Sequence, residues 1–216
     1  MTTVEMGRAT DRLLPLGAPV DGAWIAERAV REVLTDAARA VRDTAPEPPR
    51  FRLAVAAAGT PFPVPPGGLP PGELGITLEF AAVAGRPLPE LAGRLRTALL
   101  AAAEEAFGLV VAEVDLRVTD LLDAPPDPVT PAPPPGRTSP PVPEDPAALS
   151  ALAVDGVAAL TDTYGGPVRR AAGDLRIELA VTAGRRALHV ARAVRTAVTA
   201  AAPEAATVTV VVSELR

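Results

Sequence analysis

The sequence predicts an α+β fold of two tandem modules, and three observations predict it: an internal duplication, a change of hydrophobic period within each copy, and a proline-rich tract between the copies. The duplicated unit runs from Gly72 to Leu121 and again from Gly173 to Leu215. Each copy reads strand, turn, amphipathic helix, strand. Gly72-Glu73-Leu74 is answered by Gly173-Asp174-Leu175, and Ile76, Leu78 and Phe80 by Ile177, Leu179 and Val181, alternating as a half-buried strand does. From the turn onward the offset is a constant 99 residues, so that Ala84-Gly85-Arg86 matches Ala183-Gly184-Arg185 and Arg96-Thr97-Ala98-Leu99 matches Arg195-Thr196-Ala197-Val198. The apolar helix stripe repeats as Leu91, Leu95, Ala98 and Ala102 against Val190, Val194, Ala197 and Ala201. The closing strand repeats as Val114, Leu116, Val118 and Leu121 against Val208, Val210, Val212 and Leu215.

The linker divides the 216 residues into an N-terminal segment (1–20), a first module (21–123), a proline-rich linker (124–146) and a second module (147–216). Each module is expected to run helix-strand-strand-helix-strand, a small sheet of about three strands packed by two helices. All 21 basic residues are Arg and aromatics make up 3%, the composition of a high-GC genome. With no cysteine in the chain, disulfides, thiolate metal sites and a cysteine nucleophile are excluded. Met1 to Asp11 carries Glu5 and Asp11 and lacks the apolar core of a signal peptide, and no apolar run approaches the roughly 18 to 20 residues of a membrane span. The expected location is cytoplasmic, with membrane association only through a surface or a partner. The overall charge is −5, but residues 147–216 alone lean basic.

Leu13-Leu14-Pro15-Leu16 is an apolar patch too short and too interrupted for a helix. Asp21 reads as the N-cap of a helix running to about Arg42, with Ala26, Ala29, Val30, Val33, Ala37 and Val41 on one face and Glu27, Arg28, Arg31, Glu32, Arg39 and Asp43 on the other. Trp24 and Ile25 fall off that stripe, in the first turn. Two readings stay open for them: a staple back onto Leu13, Leu14 or Leu16, or an exposed anchor for a protein partner. Ala45 to Pro49 stops the helix, Phe51, Leu53 and Val55 mark a strand, and Gly59 to Gly72, rich in proline, is a loop. Ala124 to Pro146 holds 11 prolines and reads as a semi-rigid spacer; Pro131 to Pro134 also fits the P-x-x-P spacing of aromatic-groove ligands. The second module opens with a short helix from Pro146 to Val154, a strand at Gly156 to Leu160, a turn at Tyr164 to Pro167 and an edge at Val168 to Arg170.

No catalytic, cofactor-binding or metal-binding residues are predicted. The single histidine, His189, sits among Arg185, Arg192 and Thr196 with no second His or Cys to share a metal. Glu104-Glu105 close a helix without announcing a cleft, and Gly67 to Gly72 lacks the Lys-Ser/Thr of a phosphate loop and leads into a strand. One feature offers binding chemistry. Arg185, His189, Arg192 and Arg195 project from one side of the last helix, no acidic residue lies between Glu178 and Glu204, and Arg169, Arg170 and Arg176 are near in sequence. Four readings stay open for that face: a plain solvated helix face, a nucleic acid, an anionic membrane surface, or an acidic partner, for which the N-terminal module of the same or another copy is one candidate.

Asp155-Gly156-Val157-Ala158-Ala159-Leu160, followed by a strand, an Arg-bearing helix and the terminal Val208-Thr209-Val210-Val211-Val212, resembles the alkaline-shock-protein family of bacterial envelope stress response proteins. Phe107-Gly108-Leu109 and the alternating strand to Asp120-Leu121 are similar to that family's C-terminal signature, a Gly-Leu with a strand ending in an acidic residue. The resemblance covers residues 72–121 and 147–215. It implies a small α+β module without catalysis, abundant in the cytoplasm, self-assembling, and tied to the inner face of the membrane through an anchor protein. The tandem duplication, the proline linker and the long first helix depart from the family's pattern. The expected function is a non-enzymatic structural or adaptor protein acting through self-association and protein partners. The alternative is a nucleic-acid-binding module using the Arg face.

Overall fold

The computed structural model describes residues 12–126 and 144–216. Met1 to Asp11 and the P-x-x-P spacing at Pro131 to Pro134 lie outside the described residues. The chain opens with β1 (Leu13–Pro15), a 3-10 turn at Pro19–Asp21 and β2 (Ala23–Ala26). The first copy follows as α1 (Glu27–Arg39), β3 (Thr44–Pro46), β4 (Arg50–Ala56), β5 (Gly72–Val83), α2 (Leu88–Ala102) and β6 (Val111–Leu122). The second is α3 (Pro146–Leu152), β7 (Val157–Leu160), β8 (Val168–Ala171), β9 (Asp174–Val181), α4 (Ala187–Ala201) and β10 (Thr207–Leu215). The α+β class and the duplication are those the sequence predicts, and each copy carries three strands between its helices where the predicted order has two. Both sheets are wider than three strands.

In the smaller sheet β5 is central. β6 runs parallel along one side, while β4 and β3 share the other, β4 against Gly72 to Thr77 and β3 against Phe80 to Ala82. The larger sheet repeats the plan, with β9 central, β10 parallel on one side, and β8 and β7 dividing the other. It then goes further, because β2 pairs parallel to β10 and β1 antiparallel to β2.

The ladders refine the repeat. Leu78 pairs with Leu116 and Phe80 with Val118 in one sheet; Ile177 pairs with Val210 and Leu179 with Val212 in the other. The offset of 99 residues therefore holds for β5 and β9 as well, so Leu78 corresponds to Ile177, and Gly72-Glu73-Leu74 stands two residues out of frame with Gly173-Asp174-Leu175. A two-residue slip keeps every side chain on its own face, so alternation alone could not reveal it. The β-bulges settle the frame, since both ladders skip a residue at equivalent places, Thr119 and Ser213.

Three expectations about the N-terminal quarter are corrected. Asp21 caps no long helix: Gly22 follows it at φ 57°, and the chain then enters β2 before α1 begins at Glu27. Trp24 and Ile25 are strand residues, register-paired with Val211 and Val212. The module boundary at 21 also fails, because residues 13–26 belong to the sheet of the second half, and one hydrophobic core joins Leu14, Ile25, Leu34, Phe80 and Leu95 to Ile177, Val194 and Val210. The buried stripe of α1 runs through Ala29, Val30, Leu34 and Ala38 rather than Val33 and Ala37, and Glu27, assigned to the solvent face, is buried and salt-bridged by Arg12 and Arg31. On α2 and α4 the buried rows end on Leu99 and Val198. Pro146 begins α3 as its sequence position predicts, with Asp145 as N-cap accepting from the Ala147 N–H at 2.8 Å.

Candidate functional site: the strapped face of the larger sheet

Each sheet turns one face to the shared core and one away. In β5 the inward residues Leu74, Ile76, Leu78 and Phe80 are fully buried, while Glu73 is exposed. The outward face of the smaller sheet is charged: Arg52 bridges Glu113 at 2.6 Å and Asp115 at 3.1 Å, and Arg117 lies 3.7 Å from Glu79. Those two carboxylates raise the pKa of the Arg52 guanidinium, the Asp115 hydrogen bond most of all.

The equivalent face of the larger sheet is covered. There Val211 replaces Arg117, Thr209 replaces Asp115 and Thr207 replaces Glu113, so β10 from Thr207 to Val212 reads Thr-Val-Thr-Val-Val-Val without a charge, the mark of a strand buried on both sides. Its cover is the proline-rich segment between β4 and β5, which crosses the sheet as a strap. Leu13 N–H donates to Gly67 O at 3.0 Å, Leu69 N–H to Leu13 O at 2.8 Å, and the Trp24 Nε1–H to Leu69 O at 2.9 Å. Trp24, Leu13, Ala26, Ala29 and Val211 form a separate small core here, with Phe62 and Tyr164 packed on it.

Five polar side chains are buried in this part of the larger sheet: Thr161, Arg176, Glu178, Thr209 and Ser213. Glu178 is fully enclosed; its Oε1 accepts from the Thr161 hydroxyl at 3.0 Å and its Oε2 from the Tyr164 N–H at 2.9 Å, and the Ser213 hydroxyl is 2.7 Å from that of Thr161. Burial raises the Glu178 carboxyl above its ordinary range, more than the hydrogen bonds from Tyr164, Thr161 and Thr163 and the charge of Arg176 lower it. Arg176 moves the other way. Burial lowers its guanidinium, and the like charge of Arg169 adds to this against the attraction of Glu178.

Arg176 NH2 donates to Tyr164 O at 2.6 Å, but among the described residues its Nε–H has no partner, and neither has the hydroxyl of Thr209. These two residues are register partners on adjacent strands. Arg176 is 9% exposed and Thr209 2%. A buried donor left unpaired costs roughly 1 to 3 kcal/mol. Both residues line a cavity of about 240 Å³ between the sheet and the strap, walled by Pro63, Val64, Pro65 and Pro66 on one side and by Arg169, Ala171, Asp174 and Leu175 on the other.

The basic face predicted around α4 does not survive as one surface. Arg192 donates to both carboxylate oxygens of Asp21 at 2.8 and 2.9 Å, and Arg195 donates to Val20 O while stacking 5.2 Å from the Phe62 ring centroid. Arg185 pairs with Asp155 at 2.9 Å, and Arg170 with Asp145 at 3.0 Å and Glu204 at 3.5 Å. Arg186 pairs with Glu104 of the first half. His189 is exposed on the same helix. Only Arg169 and Arg176, of the seven predicted residues, come together at a cavity. Of these carboxylates, Asp21 and Glu104 belong to the N-terminal half and Asp145, Asp155 and Glu204 to the C-terminal half. The exposed-anchor reading of Trp24 and Ile25 is also corrected: they are 1% and 0% exposed, held in β2 by its pairing with β10.

A second surface stands out at the edge of the smaller sheet. β6 pairs with β5 alone among the described residues. Its equivalent, β10, is closed by β2. The same apolar row therefore has two fates: Val212 is 0% exposed, whereas its counterpart Val118 is 38% exposed and Leu121 58%. Among the described residues no group of His, Cys, Asp and Glu is arranged to hold a metal ion. Compared with protein-family models, curated proteins and solved structures, the chain matches none.

Proposed function

We propose that this chain is a non-enzymatic structural or adaptor protein that acts through self-association and protein contacts, and that the open edge of β6 is its assembly surface. The observation that carries the reading is the inequality of the two repeats: one copy of the edge is sealed by β2, and the other presents a strand of twelve residues with Val118 and Leu121 uncovered. An unpaired edge of this length is a template for strand addition.

The occupant is a second copy of the chain. When two β6 strands pair antiparallel with Leu116 opposite Leu116, Asp115 faces Arg117 on the charged side and Val114 faces Val118 on the apolar side, each contact made twice by the two-fold axis. A single strand pair buries little area, so the association is weak and concentration-dependent. Sedimentation across a concentration series tests it. Arg117→Asp sets like charges opposite each other and weakens the dimer by roughly tenfold, and the double variant Asp115→Arg, Arg117→Asp restores it. A chain that stays monomeric throughout, or an Arg117→Asp variant that associates as tightly, removes the proposal.

The resemblance to the envelope stress proteins adds a membrane-anchor partner to this reading; among the described residues no helix is long and apolar enough to cross a membrane. The nucleic-acid alternative loses support, because Arg170, Arg185, Arg186 and Arg192 are engaged by carboxylates of the same chain.

A further inference from the structure

We infer that the flank of α2 beside β6 completes the assembly surface, with the same flank of a second copy as its occupant; this rests on the β6 pairing proposed above. The two repeats show what such a flank needs. With the offset of 99 residues, Pro89, Ala92, Gly93 and Arg96 of α2 correspond to Leu188, Ala191, Arg192 and Arg195 of α4. On α4 the chain entering β2 covers that flank: Gly17 lies against Leu188, Asp21 holds Arg192, and Val20 O accepts from Arg195. Ala191 is accordingly 1% exposed. The flank of α2 is bare by comparison. Ala92 is half-buried, a Cβ on Gly93 would meet nothing within 4 Å, and Leu100, one turn beyond Arg96, is 38% exposed. The segment that seals the edge of β10 also covers α4, so the first repeat lacks both covers together.

The bare flank borders the open edge. Arg96 donates to Val114 O of β6 at 3.4 Å, whereas Arg94, on the far side of the helix, lies 4.0 Å from Asp43. The two-fold axis of an antiparallel β6 pair stands perpendicular to the sheet, so it sets α2 of one copy beside α2 of the other on the same face. Helices over neighbouring edge strands then stand about 10 Å apart, the distance at which helices pack. Charge favours this occupant. Antiparallel helices that cross at Gly93 place Arg96 opposite Glu90 of the second copy, twice, and among the described residues neither has an ion pair within its own chain. Gly93 permits the close approach, where the arginine at the equivalent position of α4 would block it. The flank adds area to a strand pair that buries little by itself.

The test compares full-chain variants by sedimentation over a concentration series and by thermal unfolding of the dilute monomer. Gly93→Gln clashes with nothing in its own chain and improves the helix, so the monomer's midpoint is expected to rise by about 3 °C while association weakens roughly tenfold. Arg96→Glu weakens association to a similar extent, and the double variant Glu90→Arg, Arg96→Glu restores it. If Arg117→Asp weakens the dimer but Gly93→Gln and Arg96→Glu leave it unchanged, the strand pairing stands and the helix contact is overturned. If Gly93→Gln and Arg96→Glu weaken it but Arg117→Asp does not, the helix contact stands without the strand register. A chain that is monomeric at every concentration overturns both.

Discussion

Asp21 and Arg192 stand 171 residues apart in the chain and meet as a two-pronged ion pair, Nε to Oδ1 at 2.8 Å and NH2 to Oδ2 at 2.9 Å. The aspartate side chain is almost fully enclosed and the arginine half exposed. Ala18 N–H donates to the same carboxylate at 2.7 Å. The fork fastens the turn between β1 and β2 to α4, holding the added strands on the second sheet.

Removing one prong leaves a buried charge behind. Arg192→Met is expected to cost about 2 kcal/mol in urea unfolding, less than a fully buried pair because the arginine is wet. Burial pushes the Asp21 carboxyl up, but the Arg192 hydrogen bond, the Ala18 amide and the charges of Arg192 and Arg195 outweigh it, and its pKa falls below the ordinary 3.8. The contribution is therefore present above that value and is lost as the pH falls through the folded pKa. Asp21→Asn should flatten the acid limb of the stability curve; an unchanged limb would contradict the assignment.

Glu178 carries the opposite sign. Its folded pKa is raised above the ordinary 4.5 by burial, so between those two values the native state binds more protons and stability falls as the pH rises. Thermal midpoints measured from pH 7 downward should climb toward 4.5 in the native chain and stay level in Glu178→Gln. The glutamine can accept the Tyr164 N–H and donate to the Thr161 hydroxyl, so at neutral pH the variant is expected to gain roughly 1 kcal/mol. A loss of stability at neutral pH would show the charged form to be the favoured one.

Deleting residues 1–26 removes Leu13, Leu14, Trp24 and Ile25, all buried, and opens the edge of β10. Each large core side chain is worth about 2 to 5 kcal/mol, against a total of about 5 to 15 for a domain. The truncated chain should lose its cooperative melt and scatter light, as an uncovered apolar strand edge does. A soluble monomer with the same midpoint would restore the picture of independent modules.

The residues explain which parts of this architecture were readable in advance. The duplication, the α+β class, α2, α4 and the strands of each repeat follow from local period and turn chemistry. They are legible in stretches such as Leu88 to Ala102 because burying one stripe of a helix needs only the sequence of that helix. The candidate site was half legible. Arg169 and Arg176 were named for their charge, but Thr209, Glu178 and the proline strap were missed, although the uncharged run from Thr207 to Val212 signals a strand covered on both faces.

What the sequence determined by itself is everything a segment decides alone: periodicity, the helix that starts at Pro146, the breaks at proline, and the absence of cysteine chemistry. Only the tertiary structure decided that Trp24 and Ile25 lie in a strand, that Asp21 meets Arg192 instead of capping a helix, and that two similar sheets have unlike outer faces and unlike edges. The physical reason is that β pairing and ion pairing join residues far apart in the chain. The free energy that places residues 13–26 comes from β10, nearly two hundred positions away in the sequence, and no local pattern in those residues encodes the partner.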